Sequence, residues 1–178
     1  MQALATSRLR LEPLRVADAQ GMFEVLSDLA IYRYLDYPPP SSIEHLQGVY
    51  AKLESRRSPD QSELWLNWVV RLQDEQPIGY VQATVVANTS AWVGYVLSSE
   101  YWGFGYATEA TRCMVEHLTV AYGVTRFRAT VEVDNRSSLR LLEKLAFRPA
   151  SSEESAGHEL TATERLFVLE SAWARNAL

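Results

Sequence analysis

The sequence contains one cysteine, Cys113, so no disulfide can close within the chain, and this fits a reducing compartment. No stretch approaches the roughly 20 consecutive apolar residues that a membrane-spanning helix needs. The opening Met1–Leu14 segment lacks the apolar core of a secretion signal. Positive charge is also short: 17 Lys and Arg stand against 22 Asp and Glu, a net charge of −5 with no run of like sign. A protein that grips nucleic acid through its phosphates carries a basic face. Neither nucleic acid nor membrane is therefore expected as a partner, and a cytoplasmic location is. Internal repeats are absent, and the nearest approach to a linker is Tyr37-Pro38-Pro39-Pro40-Ser41-Ser42, a rigid turn. With 178 residues, 47% of them hydrophobic, the chain reads as one domain over 1–178 with enough apolar material for its own core.

Periodicity places the elements. Arg8 to Leu14 alternates, with Leu9 and Leu11 on one side, and reads as a strand. Val16 to Leu26 carries apolar residues at helical spacing. Ser42 to Arg57 does so again, with Ser42 as its cap and Glu44 in the first turn. Three strands are predicted next, Leu64–Leu72, Ile78–Val86 and Ala91–Leu97, the first two forming a hairpin about the turn at 73–77. A helix over Thr108–Ala121, a strand over Arg126–Val133, a helix over Asn135–Leu145 and a strand over Glu164–Leu169 complete the chain. The polar SSEESAG stretch, Ser151 to Gly157, reads as a mobile loop. This order is that of an α+β protein rather than a doubly wound parallel sheet.

The segment Glu100-Tyr101-Trp102-Gly103-Phe104-Gly105-Tyr106-Ala107-Thr108-Glu109-Ala110 joins a strand to a helix. Two glycines allow a tight turn and a close backbone approach to a ligand. The helix that follows offers unpaired N–H groups and the positive end of its dipole, a site suited to phosphate. The dinucleotide-binding pattern G-x-G-x-x-G is not met, because Thr108 stands at the third glycine position. A P-loop is excluded because no Lys-Ser/Thr pair follows the glycines. Taken alone, a G-x-G turn is a weak signal.

The second informative block is Asn135-Arg136-Ser137-Ser138-Leu139 followed by LLEKLAF to Phe147, with Asn135 lying 30 positions after Gly105. Together the two blocks resemble the GNAT acetyltransferase superfamily, and within it the RimJ/RimL-like branch, which reads Y-W-G-x-G-Y-A-T-E-A and then N-x-x-S-x-x-x-L-E-K-L-G-F. The likeness extends to Ser7–Leu14 at the first strand and so covers essentially the whole length. It implies the GNAT fold: a mixed, mostly antiparallel sheet that splays between Ala91–Leu97 and Arg126–Val133, with flanking helices and the cofactor in the splay. It implies acetyl-CoA as cosubstrate, no metal, and transfer of acetyl to a primary amine, either a protein N-terminus or a small-molecule amine. A homodimer is compatible with it. By the same resemblance, main-chain N–H groups about Trp102, Gly103, Phe104, Gly105, Tyr106, Ala107 and Thr108 would hold the CoA pyrophosphate. Val96 and Leu97 would pair with the pantetheine amides, the Asn135 side chain would bond the pantetheine arm, and Ser138 would lie near it. Trp102 stands where the superfamily has Gln or Arg. Ala146 stands where it has glycine, so a different backbone is expected there in place of the left-handed turn.

Acyl transfer to an amine needs a neutral amine, a polarised thioester and an exit for protons. A backbone N–H near Val96 is a candidate to polarise the carbonyl. Glu132 and Glu100 are the candidate general bases, with His158 behind them. Each also reads as an ordinary solvated residue. Glu109 is expected to support the helix start through its dipole. Cys113 reads as a core filler, and His45, His117 and His158 are too scattered to ligate a metal. Trp65, Trp68, Tyr80 and Trp92 read as core or as the wall of an acceptor groove, and Arg112, Arg136 and Arg140 as solvated helix faces. A second reading is a CoA-binding regulatory or interaction module without efficient turnover.

Overall fold

The computed structural model describes residues 1–86 and 89–171. In chain order it contains β1 (Leu4–Ala5), β2 (Leu9–Pro13), α1 (Ala19–Leu26), α2 (Ile43–Glu54), β3 (Leu64–Leu72), β4 (Pro77–Val86), β5 (Ser90–Leu97), α3 (Tyr106–Tyr122), β6 (Arg126–Glu132), α4 (Arg136–Lys144), β7 (Arg148–Pro149), α5 (Ser152–Ser155) and β8 (Glu164–Glu170). Short 3-10 segments at Val16–Asp18, Leu29–Tyr34 and Ser99–Tyr101 join them. The strands form one sheet in the order β1-β2-β3-β4-β5-β6-β8-β7. Every neighbouring pair is antiparallel except β5 and β6.

Strand β3 lies inside the sheet, and its run Leu66–Val70 is buried on both faces, as a central strand requires. Alternation along it sorts the core into two layers. Leu66, Trp68 and Val70 join the layer covered by α3 and α4, while Val69 joins the layer covered by α1 and α2. Helix α3 buries Ala110, Met114 and Leu118, spaced by four so that they share one face. Of the expected aromatics, Trp68 is core, its indole N–H donating to the Gln2 carbonyl at 3.0 Å. Trp65 is half-buried and donates to Glu63 at 2.9 Å. Half-buried Cys113 packs against the α3/α4 core layer, and burial, aided by Glu116 and Glu109, pushes its thiol up.

Two local expectations are corrected. Ser151–Gly157 is not a bare loop, because Ser152–Ser155 forms a helical turn held by a capping box: Ser151 Oγ accepts from Glu154 N at 3.2 Å, and Glu154 accepts from Ser151 N at 2.9 Å. Glu154 also pairs with Arg148 at 2.7 Å, and these bonds hold its carboxyl at about 2. The second correction concerns Ala146, which keeps the left-handed backbone (φ 63°) despite its Cβ. The reason is the helix end it completes. Phe147 N donates to Leu142 O and Ala146 N to Glu143 O, both at 2.9 Å, which is a Schellman motif, and Phe147 and Leu142 are both buried in the core. The bonds and the buried contact outweigh the roughly 1 kcal/mol that a left-handed alanine costs. Ala146→Gly is therefore expected to raise the unfolding free energy by about 0.5–1 kcal/mol, seen as a higher denaturant midpoint at unchanged slope. A lower midpoint would contradict this account of the turn.

Candidate active site

Strands β5 and β6 are hydrogen-bonding neighbours only over Ser90–Trp92 against Arg126–Arg128. Beyond that point β5 stays fully paired with β4, as far as Leu97, and β6 stays fully paired with β8, as far as Glu132. The two strands part, leaving a wedge that opens toward their C-terminal ends. Gly79 helps keep β5 on the β4 side: a Cβ there would fall 2.1 Å from the Val96 carbonyl.

Which β5 groups face the wedge follows from the ladder. Ser98 N donates to Ile78 O, so Ile78 and Ser98 exchange bonds across β4 and β5, and two residues back so do Tyr80 and Val96. Val96 thus turns its main-chain groups toward β4, whereas Val93, Tyr95 and Leu97 turn theirs toward the wedge. The expectation that Val96 and Leu97 both offer an edge needs correcting on this point. Leu97 has the right orientation, and its carbonyl already accepts from the Trp102 indole N–H at 2.8 Å. Trp102, in place of Gln or Arg, therefore ties the glycine loop back to the strand end.

That loop stands at the wedge mouth. Gly105 adopts φ 81° and precedes α3, whose first backbone bond runs from Glu109 N to Gly105 O at 3.0 Å. The N–H groups of Tyr106, Ala107 and Thr108 have no backbone acceptor among the described residues and point out of the helix start. Arg8 straps the loop from β2's approach: its guanidinium donates to the Phe104 carbonyl at 3.0 Å and to Glu109 at 2.7 Å, and it lies over the Tyr106 ring at 4.6 Å. Thr6 and the Arg8 backbone N–H also donate to Glu109. Burial alone lifts the Glu109 carboxyl, but these bonds from Thr6 and Arg8 and the Arg8 charge outweigh it and hold the group below its ordinary range. Glu109 is thus a structural anchor in addition to an acid at a helix start. This strap was not anticipated, and no local pattern in the sequence signals it.

Across the wedge, Asn135 caps α4 through its side-chain oxygen, which accepts from Ser138 N at 3.1 Å. The capping bond leaves the Asn135 amide N–H donors for a ligand and sets Ser138 in the first turn beside the wedge. Glu132 is half-buried at the end of β6, opposite Glu164 in β8, and its carboxylate has no hydrogen-bond partner among the described residues. Glu164, in contrast, accepts from Thr161 N at 2.9 Å. Glu100 is exposed on the 99–101 turn. His158 packs edge-on against Trp92, 5.1 Å between ring centres, at the closed end of the wedge. Arg112 donates to the Lys144 carbonyl at 3.1 Å, while Arg136 and Arg140 are exposed on α4. His45 lies on α2, His117 on α3 and His158 in the stretch between α5 and β8.

On the α1/α2 face, the 29–34 segment crosses the wedge. Tyr34 donates to the Asp134 carbonyl at 3.2 Å, and the Asp28 carboxylate accepts from Ser99 N at 2.6 Å and Ala30 N at 3.0 Å. The Tyr37 and Tyr80 hydroxyls share a bond of 2.9 Å on this face. Burial first, and then neighbouring phenols, push Tyr80 well above its ordinary pKa, so it is neutral at any working pH.

A parted parallel strand pair with a glycine turn and a bare helix start at its mouth can take up an extended chain with an anionic end. The family described as Acetyltransferase (GNAT) domain matches residues 8–148, spanning β2, the wedge and α4. The chain belongs to the GNAT acetyltransferase family. It is an enzyme of the GNAT N-acetyltransferase kind, and its mixed, mostly antiparallel sheet with flanking helices is that of its GNAT neighbours. Among curated relatives, the chain is 28% identical over 148 residues to an uncharacterized N-acetyltransferase, YoaA of Bacillus subtilis, covering 82% of each chain. Its fold is similar to that of RimL, a ribosomal alpha-N-protein acetyltransferase solved with coenzyme A, at TM-score 0.79 and 15% identity over 94% of this chain and 97% of that one. It is similar also to Mycobacterium smegmatis RimJ, solved in complex with a CoA disulfide, at TM-score 0.74 and 23% identity over 92% and 82%. Among the described residues, no helix of this GNAT protein is long and apolar enough to cross a membrane.

Proposed function

We propose that this GNAT enzyme binds acetyl-CoA in the β5–β6 wedge and transfers its acetyl group directly to a primary amine. The supporting observation is the parting of β5 from β6 after Trp92 and Arg128, with the unpaired N–H groups of Tyr106–Thr108 at the open end. Those N–H groups, with the α3 dipole behind them, suit the pyrophosphate. The Val93 carbonyl, the Tyr95 main-chain groups and the Leu97 N–H, past the last β5–β6 bridge, suit the pantetheine amides, which would add to β5 as a further strand. Asn135, through its amide donors, and Ser138 would meet the arm from α4. The amine would approach from the α1/α2 face, where the 29–34 segment and the Tyr37–Tyr80 pair border the wedge.

Chemically, the amine nitrogen attacks the thioester carbonyl, the C–N bond forms, the C–S bond breaks, the nitrogen's proton passes to a base, and the departing CoA thiolate takes up a proton from solvent to leave as the thiol. Glu132, half-buried and unpartnered at the wedge end, is the proposed base. Glu100, exposed on its turn, is the next candidate. Similarity in fold to RimL and RimJ supports a protein N-terminus as acceptor, and a small-molecule amine fits the same chemistry. Release of free CoA from acetyl-CoA, followed against a panel of peptides with free N-termini and of small amines, tests the reading. Turnover with at least one acceptor is expected. Tight CoA binding without turnover on any amine would instead favour a binding module.

A further inference from the structure

The Tyr95 hydroxyl is closed off from solvent, yet no described residue gives it a hydrogen-bond partner. Leaving a buried hydroxyl unmade costs about 1–3 kcal/mol, so a native protein that does so calls for a reason. Tyr95 lies midway along the part of β5 that has left β6, and its main-chain groups are among those turned to the wedge. Its ring packs in the layer that α4 covers, as does the Leu139 side chain. Ser138, next to Leu139 in the first turn of α4, is the polar group beside it. Burial pushes the phenol up to about 12 and the Ser138 hydroxyl restrains that rise, yet the two do not meet in hydrogen-bonding geometry. The phenol is thus a neutral donor at every working pH, held beneath the unpaired edge with its proton uncommitted.

We propose that the missing partner of the Tyr95 hydroxyl is supplied by the ligand, and that Tyr95 is a binding residue for the pantetheine arm of the acyl donor. The proposal rests on the reading of the wedge as the CoA site and adds a residue to it. A hydroxyl under the strand edge can donate to an amide or thioester oxygen of an arm laid along that edge. It lies on the parted strand edge and outside the Gly103–Thr108 turn, so it is assigned to the arm and not to the nucleotide. An ordered water held between Tyr95 and Ser138 is the competing explanation, and the two differ in what a ligand feels.

The test uses Tyr95→Phe, which removes only the oxygen. Calorimetric titrations with coenzyme A and with adenosine 3′,5′-bisphosphate, the nucleotide half without the arm, are compared with thermal unfolding of the free protein. CoA affinity is expected to fall about tenfold, nucleotide affinity to stay unchanged, and the melting temperature of the free protein to hold or rise, because an unsatisfied hydroxyl has gone. A purely structural role predicts the reverse: lower stability, with both affinities moving together. Unchanged CoA affinity would assign the hydroxyl to water and overturn the proposal. Should the Phe variant not fold, Tyr95→Leu gives the same two-ligand comparison. Wild-type protein that binds neither ligand would overturn the wedge assignment itself and the Tyr95 inference with it.

Discussion

Gly105→Glu is expected to abolish acetyl-CoA binding, with affinity down at least 10²-fold, while the protein stays folded. The backbone at Gly105 has φ 81°, a conformation that costs a side-chain-bearing residue about 1–2 kcal/mol. That cost is bearable, because the position is exposed and an added Cβ meets only the Arg8 guanidinium, at 3.7 Å. The loss in binding has two sources. The side chain occupies the space in front of the Tyr106–Thr108 N–H groups, and its carboxylate repels phosphate at a distance of a few ångströms. The Arg8 contact adds a further effect, since a carboxylate at 105 draws on the guanidinium that now straps Phe104 and Glu109. Calorimetric titration of the folded variant decides the matter. An affinity equal to that of the wild type would remove the glycine turn from the site.

Glu132→Gln is expected to lower kcat about 10²-fold or more with acetyl-CoA affinity intact. Glutamine keeps the shape and loses the capacity to take a proton. Glu132 is suited to the role by position and by freedom. It ends the strand that borders the wedge, and its carboxylate is uncommitted among the described residues, whereas Glu109 and Glu164 are both engaged in hydrogen bonds. Turnover is measured across pH with an accepted amine. A variant with the wild-type rate and pH profile would exclude Glu132 and move attention to Glu100.

Much of the architecture was legible because its determinants are local. Apolar spacing marked α3, and the turn at 73–77 marked the β3–β4 hairpin that the register records. Ser42 was read as a cap and does accept from His45 N at 3.1 Å. What escaped were elements with too few residues to carry a period. Strands β1 and β7 are two residues long and exist by pairing with β2 and β8, and the 29–34 turn is held by Asp28 and by a contact reaching Asp134. The capping box at Ser151 and Glu154 is written in the sequence only as S-x-x-E within a wholly polar stretch, with no apolar period to mark a helix. At Ala146 the residue type suggested a different backbone. There the Schellman bonds and the burial of Phe147 prevailed over the preference of a single alanine.

For the site, the sequence by itself determined the glycine turn before α3, the Asn135 cap before α4 and the family they mark together. Each is written within a few adjacent residues, where backbone preference and capping act. Only the tertiary structure decided how those pieces are used. The strands part after Trp92 and Arg128, and ladder parity turns Val96 toward β4 and Tyr95 toward the wedge. Arg8 straps a loop 96 residues away, and the Tyr95 hydroxyl has no partner among the described residues. These outcomes depend on which groups distant segments bring within about 3 Å of one another, a distance over which hydrogen bonds form or fail. No local preference encodes that distance, because packing of the whole sheet sets it.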